Sequence, residues 1–200
     1  MYRQRMKTIL VDLLVVFTGV YAAFMLDDFR KQQEIENKRQ QIVDALLTDL
    51  KATQEGLDKG VPQIKSIFDG FLEKYKNGEA PGINHLGFDV AFRSGMWEAM
   101  LQSSGVDVLE VDFILQMEAY YENLEAFRAK MEYFRDLSAR QIVPNLGKDS
   151  TFFYEPESKT LREPYRWYLS AVVAFTQGMT EIQERNRALV EKLTQLSTIE

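Results

Sequence analysis

Between Ile9 and Leu26 the chain reads ILVDLLVVFTGVYAAFML, with Asp12 as its only charged residue. As a helix this run would extend roughly 27 Å at 1.5 Å per residue, close to the hydrocarbon thickness of a bilayer. Arg3, Arg5 and Lys7 precede it, and Asp27 and Asp28 follow. The pattern predicts a basic tail over 1–8 and a transmembrane helix over 9–26. A cleaved signal peptide needs a small-residue site, and only Val20-Tyr21-Ala22 offers one; an aspartate inside the apolar region is also out of character for such a peptide. A buried core helix would not call for charged borders on both sides. The basic tail favours a cytoplasmic N-terminus. The expected location is therefore the inner (cytoplasmic) membrane, single-pass, with the soluble domain periplasmic. Arg30, Lys31, Lys38 and Arg39 beyond the span weaken that asymmetry.

Within the span, Asp12, Gly19 and Ala23 fall on one helical face. Gly-x-x-x-Ala lets a second helix approach closely, and an ionisable group in a membrane span is a functional candidate by default. These three residues are the expected helix–helix interface in the membrane. The competing reading has Asp12, about one turn inside, reaching back to the headgroups.

Residues 27–41, DDFRKQQEIENKRQQ, contain no Gly or Pro and read as a polar helical stalk. A helical-bundle domain is expected over 42–200. Ile42, Leu46, Leu50 and Leu57 resume a helix-period stripe, which Gly60 and Pro62 are expected to end. A second helix is predicted from Pro62 to Lys76, a loop over 77–87, and a short helix from Phe88 to Ser103. A fourth helix starts near Glu110 or Val111 and stops before Pro144. Its stripe (Phe113, Met117, Tyr120, Leu124, Phe127, Met131, Phe134) has the 4-3-4-3 spacing of a bundle seam. After a long connection, a last helix is predicted from Pro164 to Leu196. Alternation at Val106–Val111 is too short to make a strand. The expected fold class is all-α: an N-terminal transmembrane helix extending into an antiparallel helical bundle of four to five helices.

The function classes are narrowed mostly by exclusion. A net charge of −6 without a basic stripe argues against nucleic acid as a partner. The chain has no cysteine and one histidine, His85, so thiolate chemistry and multi-histidine metal sites are out of reach. It contains no glycine-rich phosphate loop, Gly-x-Ser-x-Gly or His-Glu-x-x-His. His85 lies in a Gly/Pro-rich loop and reads as solvated. Asp107, Glu110 and Asp112 lack the spacing and turn glycine of a hard-cation loop and read as helix-start residues. Trp97 reads as a core anchor. Tyr120 and Tyr121 straddle the seam, with at least one in the core and a hydroxyl reaching a polar partner. Phe152, Phe153 and Tyr154 cannot all enter one seam. They either cap the bundle's end or form a patch for a partner or a membrane interface.

Two segments resemble an uncharacterised bacterial family of small proteins with an N-terminal membrane span followed by a helical domain. The first carries Asp12, Gly19, Ala23 and the Asp27-Asp28-Phe29 exit, where the family typically has glutamate, two asparagines and tryptophan. The second carries Trp97, Leu101, Ser104-Gly105, Asp112 and Tyr120-Tyr121. The resemblance covers about a third of the chain and implies an anchored helical domain with no catalytic residues to carry over. The expectation is a non-enzymatic interaction or scaffold module without a cofactor. Its partners would be the lipid bilayer and a membrane protein or a second copy of itself. The alternative is an extracytoplasmic ligand-sensing bundle that signals through a separate membrane partner.

Overall fold

The computed structural model describes residues 2–86, 95–103 and 105–197, with side chains described from residue 14 onward. Among these residues four α-helices carry the fold: α1 (Tyr2–Lys76), α2 (Gly95–Gln102), α3 (Val111–Gln141) and α4 (Trp167–Ser197). Short 3-10 turns at Gly105–Val108, Val143–Asn145, Ser150–Phe153 and Glu163–Tyr165 fill the connections. Tyr154 and Leu161 form an isolated antiparallel bridge.

Helix α1 is 75 residues long, roughly 110 Å of continuous helix. The expected break at Gly60 and Pro62 does not occur. Proline removes the hydrogen bond to the Asp58 carbonyl and disfavours a helix interior by about 3 kcal/mol, and glycine adds about 1. Against this, Leu57, Val61 and Phe68 are all buried. Each such side chain contributes about 1.5–3 kcal/mol, and an unbroken helix keeps all three in one stripe. Pro62 itself faces solvent. The two helices expected on either side are therefore one.

The core is a three-helix seam. Phe71 meets Tyr168, and Phe68 meets Phe175, with ring centroids 5.3 and 5.6 Å apart. Lower down, Asn186 reaches Leu50. Helix α4 therefore runs antiparallel to α1. Tyr120 pairs with Asn186 and Phe134 stacks on Trp167, so α3 is also antiparallel to α4 and parallel to α1. The expected bundle is thus not antiparallel throughout. The chain leaves α1 at its far end, and by the Gly105–Val108 turn, where Gly105 lies beside Ile42, it is back at the base of the bundle. On that return α2 buries Trp97 against Tyr121, stacked at 5.9 Å. Phe88 and Val90 of the expected short helix lie outside the described residues.

Helix α3 begins at Val111, and its seam residues are buried except for the half-buried Met131. Glu110 is its N-cap but makes no side-chain cap hydrogen bond, so the acids here act through the helix dipole alone. Proline 164 sits in a 3-10 turn, and α4 starts three residues later.

Candidate functional site

The N-terminal part of α1 behaves unlike the rest of the fold. From residue 14 to residue 38 every side chain is exposed, and Val43 is the first buried one. At 100° per residue, the consecutive apolar runs Leu14–Phe17 and Phe24–Leu26 point in every direction around the helix. No surface of the bundle covers them; Phe17 and Phe24 are 67% and 66% exposed. A helix that is apolar all round is ordinarily buried in something. Among the described residues, no helix is long and apolar enough to cross a membrane. The apolar stretch with described side chains, 14–26, measures about 20 Å.

Gly19 and Ala23 lie on this segment, and nothing stands within 4 Å of where a Cβ on Gly19 would be. Counting 100° per residue, their face is roughly opposite the Val43–Leu50 seam. The side chain of Asp12, third member of the expected interface, lies outside the described residues. Ser104, from the second resembling segment, does too.

The aromatic triplet is an end cap. Phe153 and Tyr154 are 2% and 1% exposed, and the Tyr154 hydroxyl donates to the Pro81 carbonyl at 2.7 Å. Phe152 is half-buried, edge-on to Phe153 at 5.3 Å, with the Lys148 ammonium 4.0 Å above its ring. A three-aromatic partner patch is therefore not what this surface presents. The 3-10 turn and the Tyr154–Leu161 bridge turn two of the rings inward and leave only Phe152 partly open.

A polar network crosses the middle of the core. Asn186, fully buried, accepts from the Tyr120 hydroxyl at 2.9 Å. Its amide donates to the Leu50 carbonyl and to Gln54, at 2.9 and 2.8 Å. Gln54 in turn donates to Asp58, whose Oδ1 also receives Gln183 at 2.6 Å and Arg187 at 3.2 Å. Hydrogen bonds from Gln183 and then Gln54 hold the Asp58 carboxyl below the usual aspartate range. Tyr120 and Tyr121 are both buried, and the Tyr121 hydroxyl lies 3.5 Å from Asp49 Oδ2. Burial, reinforced by the Asp49 charge, pushes both phenols well above their ordinary value. These tyrosines and Asn186 tie three helices in one register, as a buried asparagine does in coiled coils.

His85 is exposed, yet its Nδ1 lies 2.9 Å from the hydroxyl of the fully buried Ser138. The same hydroxyl accepts from the Leu86 N–H at 2.9 Å. The solvated loop histidine expected from sequence is thus pinned to α3. Beside it, a cavity of about 350 Å³ opens between α1 and residues 81–86, with Phe68, Phe71, Lys74, Asn84, His85 and Tyr168 in its lining. No group of three or more acidic or histidine side chains able to hold a metal ion occurs among the described residues.

Sequence reasoning missed Asn186 and Ser138, although spacing marks both. Asn186 takes the position between Ile182 and Leu189 in the α4 stripe, and Ser138 the one after Phe134 in the α3 stripe. No protein-family model matches the chain, and comparison with curated proteins and with solved structures returns no match.

Proposed function

We propose that the protein is a membrane-anchored helical interaction module, with α1 entering the bilayer over 9–26 and carrying the bundle on the 27–41 stalk. One observation carries this reading. A single helix leaves its apolar residues 14–26 exposed on every side, then buries a one-sided seam from Val43 onward. Lipid satisfies the first pattern, and α3 and α4 satisfy the second. Partner contact is assigned to the Gly19/Ala23 face, with Asp12 on the same face. Because that face is turned away from the seam, two copies joined there would carry their bundles on opposite outer sides. No catalytic role is assigned. The expected location is the inner membrane with the bundle on the periplasmic side.

Flotation of the full chain with phospholipid vesicles tests the anchor. Phe17→Arg places a charge near the middle of the run, an insertion penalty of about 3 kcal/mol. The variant should shift toward the unbound fraction with its bundle intact; unchanged flotation would remove the bilayer from the proposal. Crosslinking from a cysteine at position 20 tests the interface. Failure to capture a protein or a second copy would reduce the segment to a tether.

A second reading is favoured by the cavity at the far end of the bundle: a ligand-sensing module that passes its signal to a separate membrane protein. The continuous α1 would connect the cavity wall directly to the span.

A further inference from the structure

The cavity beside His85 has apolar walls and a few polar groups. Phe68, Phe71, Leu86 and Tyr168 line it and are all buried, with the exposed Ile67 also in the lining. Its polar side chains are Lys74, Asn84, His85 and Tyr168, of which Lys74 and Tyr168 have protons to donate. The Lys74 ammonium has no acidic partner among the described residues. The Tyr168 hydroxyl accepts from the Asn84 N–H at 3.2 Å, which leaves its own proton to donate. His85 is held at Nδ1 by Ser138, and its other ring nitrogen has no protein partner among the described residues. Among the described residues no aspartate or glutamate lines the cavity, although acids outnumber bases in the chain, 30 to 24.

We infer that this cavity binds a small monocarboxylate whose body is apolar, such as one ring on a short chain. Among the described residues Lys74 is the only lysine, arginine, aspartate or glutamate in the lining; a cation beside the Tyr168 hydroxyl selects an anion over a cation, and a charged acceptor gains most from such donors. A single lysine matches a single negative charge. The volume falls at the low end of the roughly 300–1,000 Å³ typical of ligand pockets, which favours a compact body over a long chain. Two of the lining positions are glycines, Gly70 on α1 and Gly82 opposite, and a Cβ on either would meet nothing within 4 Å. The wall is thus open where side chains would otherwise close it. Ligand binding here would be the input the second reading needs, and it does not depend on α1 entering a bilayer.

The lone histidine makes the test specific. Full-length protein in detergent micelles, labelled with ¹³C at histidine, is titrated with 3-phenylpropanoate, its neutral counterpart 3-phenylpropan-1-ol, octanoate and inorganic phosphate. The expected result is a saturable shift of the His85 ring signal with 3-phenylpropanoate in the millimolar range or tighter. Octanoate should bind more weakly, and the alcohol and phosphate should not saturate. Lys74→Gln should weaken the carboxylate by about tenfold or more. Gly70→Leu should abolish binding while leaving the unfolding midpoint unchanged or raised, since it also improves helix propensity. Equal binding of the alcohol, an unchanged affinity in Lys74→Gln, or no saturable shift with 3-phenylpropanoate up to roughly 10 mM would overturn the assignment. If Gly70→Leu misfolds, Gly82→Val provides the second block, and a filled cavity that still binds equally overturns it as well.

Discussion

The two parts of α1, 14–41 and 42–76, share one unbroken backbone and follow opposite rules of burial. In the first, Leu14, Val15, Val16 and Phe17 are successive residues, each more than 60% exposed. In the second, Val43, Leu46 and Leu50 are at most 2% exposed and their outward neighbours are polar. A helix that supplies only one apolar stripe needs only a neighbour on that side, which α4 and α3 provide. A helix apolar around its whole circumference asks for a surrounding medium. The contrast separates residues whose partner is inside this chain from residues whose partner is outside it.

Truncations to alanine in the two parts should therefore give unequal results. Leu46→Ala is expected to destabilise the bundle by about 2–5 kcal/mol, through lost burial and the cavity left behind. Val16→Ala should leave the bundle's unfolding free energy unchanged, because Val16 contacts none of it. Denaturant titration of the full chain in detergent measures both, and a comparable loss in Val16→Ala would mean that the outer segment folds back onto the bundle.

The inner half should also depend on specific polar partners. Asn186→Ala strands the Tyr120 hydroxyl in the core and removes the bonds to the Leu50 carbonyl and Gln54, a loss of about 1–3 kcal/mol. Pairing it with Tyr120→Phe should recover part of that loss in the same titration. Full additivity of the two would show that the hydroxyl and the amide do not act together.

Glycines sharpen the comparison at smaller scale. A Cβ on Gly178 would stand 2.5 Å from the Phe127 ring, so α3 and α4 approach closely there. Gly178→Ala should lose about 1 kcal/mol net, with overpacking exceeding the gain in helix propensity. Gly19→Ala meets no atom of the described residues within 4 Å and should leave bundle stability unchanged, while weakening any crosslink made through that face. Thermal melts of both variants give the first comparison directly.

The smallest effect concerns pH. Asp58 is held below the ordinary aspartate range, so its contribution is present above that range and is lost as pH falls through its lowered folded-state value. Between about pH 5 and pH 3, wild-type stability should fall more steeply than that of Asp58→Asn. Parallel curves would show that the Gln183 and Gln54 bonds have no net effect.

Much of the bundle was legible from spacing. The α3 stripe from Phe113 to Phe134 gave its buried face, and Trp97 is the anchor its size and position suggested. Asn186 and Ser138 were within reach of the same arithmetic, because each occupies a seam position, but a polar letter there hides a core residue. Pro62 misled for the converse reason: a strong local breaker was outweighed by burial on both sides of it. The aromatic triplet could be narrowed to two readings, and only the bridge between Tyr154 and Leu161 turned two of its rings inward.

Local sequence by itself determined the periods: one apolar run without a face, three stripes with one, and therefore helices with known inner sides. Those properties follow from neighbours three and four residues apart, which the helical backbone brings together regardless of the rest of the chain. Tertiary structure alone decided that α1 continues through Pro62, that α1 and α3 run parallel, and that residues 74, 85 and 168 line one cavity. These depend on contacts between residues about a hundred positions apart, such as Asn84 with Tyr168, whose meeting is set by the packing of whole helices. The run from Ile9 to Leu26 belongs to neither group. Its sequence demands burial, and the part of it whose side chains are described finds none within this chain.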